Sequence, residues 1–332
     1  MTPMRIALLG LGSVGKGVAK VLANPEYGFV ITAAADSKSG VVAPAGTTLD
    51  MCEVFARKNA TGRCGDSAWS AERIVREAEY DILVEVSPTN AQTGEPALSN
   101  IRAALMRGKH VVTSNKGPIS IAYPELSATA KEHNAGLMFE GTVAGAVPIM
   151  NGLRCGLAGN RVNALFGVLN GTCNYILTRM EEEGLTYQQA LAEASDLGYA
   201  EADPSADVNG TDAAIKLVIL ANTMLGMNVK LDDVIRVGID GMTADALMMA
   251  AKTGHTIRLI ASIHPEKRLL EVSPRLIHKE HPLVVDGTLN AVTVDTELAG
   301  PITFIGRGAG SVETASAVLA DLLALKERYD GK

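Results

Sequence analysis

Cysteine is scarce in this chain. Cys52, Cys64, Cys155 and Cys173 are dispersed among 332 residues and show no CxxC spacing. That excludes a disulfide scaffold and a cysteine zinc site, and it points to reduced thiols in a cytoplasmic protein. Basic charge is also short: 30 Lys and Arg stand against 37 Asp and Glu, a net charge of −7. Binding a phosphate backbone needs a basic footprint, so no nucleic acid partner is expected. No apolar run reaches the roughly 18 residues needed to span a bilayer. Met1-Thr2-Pro3-Met4 leads straight into an apolar stretch and leaves no room for a signal peptide. Neither a repeat nor a low-complexity linker is visible.

What remains is the composition of an ordinary soluble enzyme, 47% apolar and 20% charged. At about 100 to 200 residues per domain, the length predicts two domains. Arg5-Ile6-Ala7-Leu8-Leu9 suits a buried parallel strand. It ends at Gly10-Leu11-Gly12-Ser13-Val14-Gly15, and a helix follows from Lys16 to Leu22. GxGxxG between a strand and a helix is the dinucleotide fingerprint. Gly10 makes the turn, Gly12 admits a pyrophosphate, and Gly15 lets helix and strand approach. A second strand, Val30 to Ala35, ends at Asp36, about twenty residues past the glycines, where an acid holds the adenosine ribose. Asp36 also suits a loop cap. Lys38, with Arg57 and Lys58 from the predicted helix Leu49 to Asn59, supplies cations suited to a 2′-phosphate. NAD(H) and NADP(H) are therefore both expected to work, NADP(H) being somewhat preferred.

Further strands are predicted at Tyr80 to Val86 and His110 to Ser114, with helices at Ala71 to Ala78, Pro96 to Arg107 and Ala122 to Asn134. Ser87-Pro88-Thr89-Asn90 and Asn115-Lys116-Gly117-Pro118 close the two strands at the edge where open α/β sheets collect ligands. Lys116 there is either a ligand-facing cation or simple turn chemistry. After Glu140, the small residues Gly141 to Pro148 can turn several carbonyls onto one cation, or can serve a close-packed crossing between domains. Downstream, strands are predicted at Val162 to Leu169, Thr256 to His264, Leu269 to Arg275, Thr288 to Thr296 and Pro301 to Ile305. They suggest a mixed sheet with one face covered by helices. Leu283 to Asn290 reads as an exposed connection. Helices are predicted at Tyr175 to Glu183 and Thr186 to Leu197. A glycine-rich tail, Gly306 to Gly310, leads into a last helix, Ala315 to Arg328, that returns to the nucleotide domain.

The stretch from Gly198 to Lys216 carries the most chemistry. Gly198 and Asp203-Pro204 make a turn, and Gly210 to Val218 opens an apolar helix. Asp212 and Lys216, four residues apart, share a helix face, with Glu201, Asp203 and Asp207 just before it. Such a pair is often only a surface salt bridge. Carboxylates gathered around a lysine in an apolar setting are costly unless they pair or bind something.

Together these motifs resemble the homoserine dehydrogenase family. The resemblance rests on Gly10 to Gly15, Thr113 to Lys116, Phe139 to Pro148, Leu169 to Leu177, Gly198 to Asp203 with Asp212 and Lys216, and Gly308 to Gly310 with Thr314 to Ala317. It covers nearly the whole chain. It implies an α/β fold: a Rossmann-type parallel sheet over 1–137, an α+β catalytic and dimerisation domain over 138–306, and a segment, 307–332, packing back on the nucleotide domain. The implied reaction is the NAD(P)-dependent exchange of L-aspartate 4-semialdehyde and L-homoserine, in threonine and methionine synthesis, by a cytoplasmic homodimer. Lys216 resembles the proton donor, Asp212 its hydrogen-bonding partner, and Lys116 the lysine between cofactor and substrate. Glu201 resembles the substrate-binding acid, with Tyr199, Gly171, Thr172 and Asp207 around the substrate. Beyond the fingerprint glycines, Asp36 and Lys38, the implied cofactor set is Ser13, Val14, Ser87, Ser114, Lys116, Gly198 and Gly308. Glu140 with the carbonyls of Val143, Gly145 and Val147 resembles a monovalent-cation site, with sodium the expected ion. Cys173 departs from the small hydroxyl or apolar residue usual there. The chain shows no regulatory extension like that of many members, and no kinase fusion, so the resemblance does not imply threonine feedback.

Two other readings use the same residues. Asn170-Gly171-Thr172-Cys173 hints at a cysteine nucleophile, as in aspartate-semialdehyde dehydrogenases. That chemistry needs a paired histidine, and His255 and His264 lie far along the chain. A redox sensor that binds the dinucleotide without turnover leaves the Glu201 to Lys216 cluster unexplained.

Overall fold

The computed structural model describes residues 2–66, 68–200 and 203–330. They form two compact units, one of residues 1–146 with 310–332 and one of 147–309.

The first unit is built on β1 (Met4–Leu9), α1 (Ser13–Leu22), β2 (Phe29–Ala35), β3 (Gly40–Val42), α2 (Met51–Thr61), α3 (Ala71–Glu77), β4 (Ile82–Glu85), α4 (Ala97–Met106), β5 (His110–Thr113), α5 (Lys116–Glu132) and β6 (Leu137–Met138). The strand order is β3-β2-β1-β4-β5-β6. All neighbours pair in parallel except β3, which turns back antiparallel on β2. The order reverses between β1 and β4. In an open parallel sheet that is where the loops part and leave a ligand crevice. Ile6, Leu8, Ile82, Val84 and Val112 are fully buried, as strands covered on both faces must be. The three-residue β3 was not foreseen, because so short an edge strand carries no period.

One turn differs from its sequence reading. Asn115 to Pro118 opens a helix rather than closing a strand. The Asn115 side chain accepts the Gly117 N–H at 3.2 Å, and Pro118 sits in the first turn, where a missing N–H costs nothing. The helix expected from Ala122 therefore starts at Lys116, with non-helical dihedrals at Ala122 marking the join.

The second unit holds α6 (Ile149–Asn151), a π turn at Gly152–Gly156, β7 (Val162–Val168), α7 (Gly171–Glu183), α8 (Tyr187–Asp196), α9 (Ser205–Val208), α10 (Thr211–Met224), β8 (Val234–Arg236), α11 (Ala244–Lys252), β9 (His255–His264), β10 (Leu269–His278), β11 (Leu289–Thr296) and β12 (Gly300–Arg307). Its sheet runs β12-β11-β7-β9-β10-β8 and is mixed, β8 alone pairing in parallel. A Cβ on Gly210, the N-cap of α10, would lie 3.1 Å from Val272, so α10 starts hard against one sheet face. The segment expected to be exposed, from Leu283, is not. Leu283 and Val285 are buried against Val168, Ile260 and Ala291. Strand alternation puts Ile260 on the opposite face from Ala261, the partner of Val272. The connection thus covers the face that α10 does not. Asn174 of α7 donates to the Val285 and Gly287 carbonyls at 2.8 and 2.9 Å and holds it there.

Helix α12 (Ser311–Asp330) completes the first unit. Ala315, Val318, Leu322 and Leu325 enter the same core as Leu8 and Val84. Each large apolar residue so buried contributes roughly 1.5 to 3 kcal/mol. A Cβ on Gly17 of α1 would stand 2.2 Å from the Ser311 carbonyl, so the two helices cross at backbone contact.

Candidate active site

The ligand edge of the first unit is shaped by its glycines. Gly10 has φ 98°, and a Cβ there would meet Val86 and Ser87 backbone at 2.5 Å. A Cβ on Gly15 would fall 1.9 Å from the Gly10 carbonyl oxygen. Gly12 has nothing within 4 Å of its missing Cβ. The helix it precedes, starting Ser13-Val14-Gly15, has no side-chain cap. A cradle with room at Gly12 and free N–H groups at the helix start fits a pyrophosphate.

Asp36 sits at the end of β2, and its Oδ1 accepts the N–H groups of Lys38 and Ser39 at 2.9 and 3.0 Å. Lys58 reaches it from α2, 3.2 Å from Oδ2, and also donates to the Leu11 carbonyl at 3.0 Å. Burial works to raise the Asp36 pKa, but Lys38, Lys58 and Ser39 outweigh it and the pKa is lowered. The structure thus brings Lys58 to Asp36, whereas the Lys38 side chain is exposed. Ser87 follows β4, and its carbonyl accepts Asn115 Nδ2 at 3.1 Å. Ser114 donates its N–H to the Glu85 carbonyl at 3.3 Å, and Lys116 opens α5 beside it.

Glu140 is buried in a short 3-10 turn, Glu140–Thr142, and its N–H donates to Asp321 Oδ2 at 2.8 Å. Val143 is extended, and Ala144 and Gly145 follow with positive φ of 55° and 53°. Val147 opens the second unit, its carbonyl accepting the Ile149 N–H at 2.9 Å. Among the described residues no three His, Cys, Asp or Glu side chains gather to hold a metal ion.

In the second unit α9 and α10, joined by the cap of α7, bring two acids and a lysine together. Asn170 caps α7, accepting the Cys173 N–H at 2.8 Å. Its amide donates to both carboxylates, Asp207 at 2.7 Å and Asp212 at 3.0 Å. Lys216 Nζ lies 2.6 Å from Asp212 Oδ2 and donates to the Leu169 carbonyl at 2.6 Å. The Asp212 and Lys216 side chains are 12% and 11% exposed, which removes them from the class of weak surface pairs. The two acids and one ammonium leave a local excess of negative charge, suited to a substrate ammonium. Thr172 donates to the Tyr199 carbonyl at 2.8 Å, and the Tyr199 ring lies 4.9 Å from Tyr175. A Cβ on Gly171 would meet the Thr288 carbonyl at 2.8 Å, and one on Gly308 would strike Asn290. Gly198 turns with φ 74°. Glu201 lies outside the described residues.

Asn170 carries no role that its sequence context alone assigns. Its signal was an Asn at a strand-to-helix turn, a cap whose amide group is left to reach elsewhere. Cys173 is not a nucleophile. It is fully buried, its thiol donates to the Asp207 carbonyl at 3.2 Å, and burial, then Asp207 and Asp212, push its pKa well above the usual range.

The chain is similar to known proteins along nearly its whole length. Residues 148–323 match the homoserine dehydrogenase family, and residues 10–140 match the homoserine dehydrogenase NAD-binding domain. The chain belongs to the homoserine dehydrogenase family. A homoserine dehydrogenase of Methanocaldococcus jannaschii is 42% identical over 96% of this chain and 98% of its own. The crystal structure of a putative homoserine dehydrogenase from Archaeoglobus fulgidus superposes with a TM-score of 0.90 at 45% identity, covering 97% of this chain and 99% of that one. A hyperthermophilic archaeal homoserine dehydrogenase in complex with NADPH gives 0.84 at 30% identity, over 98% of each chain. The enzyme is thus an NAD(P)-binding oxidoreductase of two α/β units. No helix among its described residues is long and apolar enough to cross a membrane.

Proposed function

We propose that the enzyme interconverts L-aspartate 4-semialdehyde and L-homoserine with Lys216 as proton donor and acceptor. The observation that carries this is the hydrogen-bonded array Lys216–Asp212–Asn170–Asp207, with Lys216 and Asn170 buried. The bound nicotinamide supplies or accepts the hydride. Lys216 gives its proton to the carbonyl oxygen as that oxygen gains charge, and takes it back in the reverse direction. Asp212 and the Leu169 carbonyl hold Nζ in place, so one N–H remains for the substrate. Asp207 and Glu201 hold the substrate ammonium, with Tyr199, Gly171 and Thr172 around the substrate. Lys116 adds a cation beside the cofactor edge. The test is a rate measurement with homoserine and each cofactor, followed by nicotinamide absorbance.

Both cofactors are proposed to work, NADP(H) being somewhat preferred. Asp36 already holds two N–H groups and Lys58, so its repulsion of a 2′-phosphate is largely neutralised and Lys58 stands ready as a partner. Gly10, Gly12, Ser13, Val14, Gly15, Lys38, Ser87, Ser114, Gly198 and Gly308 complete the proposed cofactor set. Sodium is the proposed ligand of Glu140 and the carbonyls of Val143, Gly145 and Val147. The partition into a nucleotide domain, 1–137, a catalytic and dimerisation domain, 138–306, and a returning segment, 307–332, is proposed with it. A cytoplasmic homodimer is the proposed assembly, supported by exposed Leu276 and Ile305 on the second unit's strands.

A further inference from the structure

Glu85 ends β4 at the ligand edge of the first unit, and nothing in the reaction above uses its side chain. It is 0% exposed. Oε1 accepts the Ser87 N–H at 2.8 Å. Oε2 makes no hydrogen bond of good geometry among the described residues, although the Ser87, Asn100 and Asn115 side chains all pull on the carboxyl. A buried carboxyl with one oxygen unspent is expensive, and a leucine would fill the same space without that cost.

Two other turns of the cofactor edge meet the residue this carboxyl holds. The Gly10 turn abuts the Val86–Ser87 peptide so closely that a Cβ would lie 2.5 Å from it. The Ser87 carbonyl accepts Asn115 Nδ2 at 3.1 Å, and Asn115 Oδ1 accepts the Gly117 N–H at 3.2 Å, which sets the first turn of α5 with Lys116. The Glu85 backbone oxygen accepts the Thr113 hydroxyl at 2.7 Å, and that hydroxyl in turn accepts the Asn115 N–H at 2.9 Å.

We propose that Glu85 is a positioning residue of the cofactor site: its carboxyl fixes the Ser87 turn and, through that turn, the Gly10 and Asn115–Lys116 turns. The inference rests on reading this edge as the dinucleotide site. Burial raises the Glu85 pKa against the pull of Ser87, Asn100 and Asn115, which favours the neutral acid. Glutamine copies that form. It keeps the acceptor for the Ser87 N–H and puts an uncharged amide where the second oxygen lies.

The test is NADPH affinity of the full chain, read by nicotinamide fluorescence, for wild type, Glu85→Gln, Glu85→Leu and Asn115→Ala, with thermal melts alongside. Glu85→Leu leaves the half-buried Ser87 N–H without its acceptor and is expected to weaken NADPH by about tenfold to a hundredfold. Glu85→Gln is expected to stay within about threefold of wild type. At saturating cofactor the homoserine KM should move less than the cofactor KM. A Glu85→Leu protein that melts earlier yet binds NADPH like wild type overturns the proposal, since a purely structural role does just that. Glu85→Gln as weak as Glu85→Leu overturns it too. Should Glu85→Leu fail to fold, Asn115→Ala carries the test: weakened NADPH supports the relay, and unchanged affinity overturns it. A wild-type chain that binds no nicotinamide cofactor overturns the underlying reading of the site, and with it the role of Glu85.

Discussion

Replacing Lys216 by methionine keeps the side chain as far as Cε and removes the ammonium with its proton. Nζ lies 2.6 Å from both Asp212 and the Leu169 carbonyl, in a pocket where lysine and aspartate are about equally shielded. Two losses follow, and they differ in kind. The chemical step loses its general acid, which costs about 10²- to 10⁴-fold in kcat. The fold loses the partner of a nearly buried carboxylate, for which about 3 to 5 kcal/mol is the ceiling when a buried pair is broken. Asn170 still donates to Asp212, so the measured destabilisation should fall below that ceiling. The double change Asp212→Asn with Lys216→Met removes both charges and should recover most of the stability while kcat stays low. Urea melts and initial rates with homoserine at saturating cofactor read the two losses separately. A Lys216→Met enzyme within about tenfold of wild-type kcat would refute the role of Lys216, because general acid catalysis contributes more than that. A double variant that regains kcat would show that the lysine serves only to neutralise Asp212.

Glu201→Ala should raise the homoserine KM far more than it lowers kcat, since it removes ground-state binding of the ammonium; a pure kcat effect would contradict that role. Lys58→Ala should reduce the NADP/NAD ratio of kcat/KM more than Lys38→Ala, because Lys58 rather than Lys38 reaches Asp36; equal effects would argue against the Asp36–Lys58 pair as the reader. Dialysed enzyme should respond to added sodium or potassium, and a flat titration would count against a cation at Glu140. Asp81 holds Arg5 at 2.7 Å, and although burial works to raise its pKa, the Arg5 bonds lower it overall. Its stabilisation is therefore present above the ordinary aspartate pKa of about 4 and lost as the pH falls through the folded value. Asp81→Asn should flatten that acid limb in pH-dependent melts, and an unchanged limb would exclude Asp81 as its source.

The first sheet was legible because its strands are short apolar runs and its first turn is a spaced glycine motif. The same pattern made Gly10, Gly12 and Gly15 readable without coordinates. The active array was half legible. The four-residue spacing of Asp212 and Lys216 gave the pair, but Asn170, which ties Asp207 to Asp212, sits far off in sequence and meets them only in the fold. Asn115 misled in the opposite way. Its run ends in Pro118, which reads as a stop, yet proline within a first helical turn is a start. Leu283 and Val285 misled because a connection without period looks exposed, and only the sheet beneath shows what they cover. Glu85 was invisible because one acid at a strand end carries no pattern.

The use of α12 to finish the first core has a consequence for synthesis. A chain emerging from the ribosome folds from its N-terminus, domain by domain. Here Val318, Leu322 and Leu325 belong to the core begun by Ile6 and Leu8. The cofactor unit stays unsealed until those residues emerge, whereas the unit of residues 147–309 has its whole sequence available earlier. Nascent chains arrested after residue 309 are expected to resist protease in the second unit and remain cleavable in the first; equal protection of both would refute this order. The unit translated first is thus the last to close, so a chain made in haste or cut short is left with a folded second unit and no firm seat for the coenzyme.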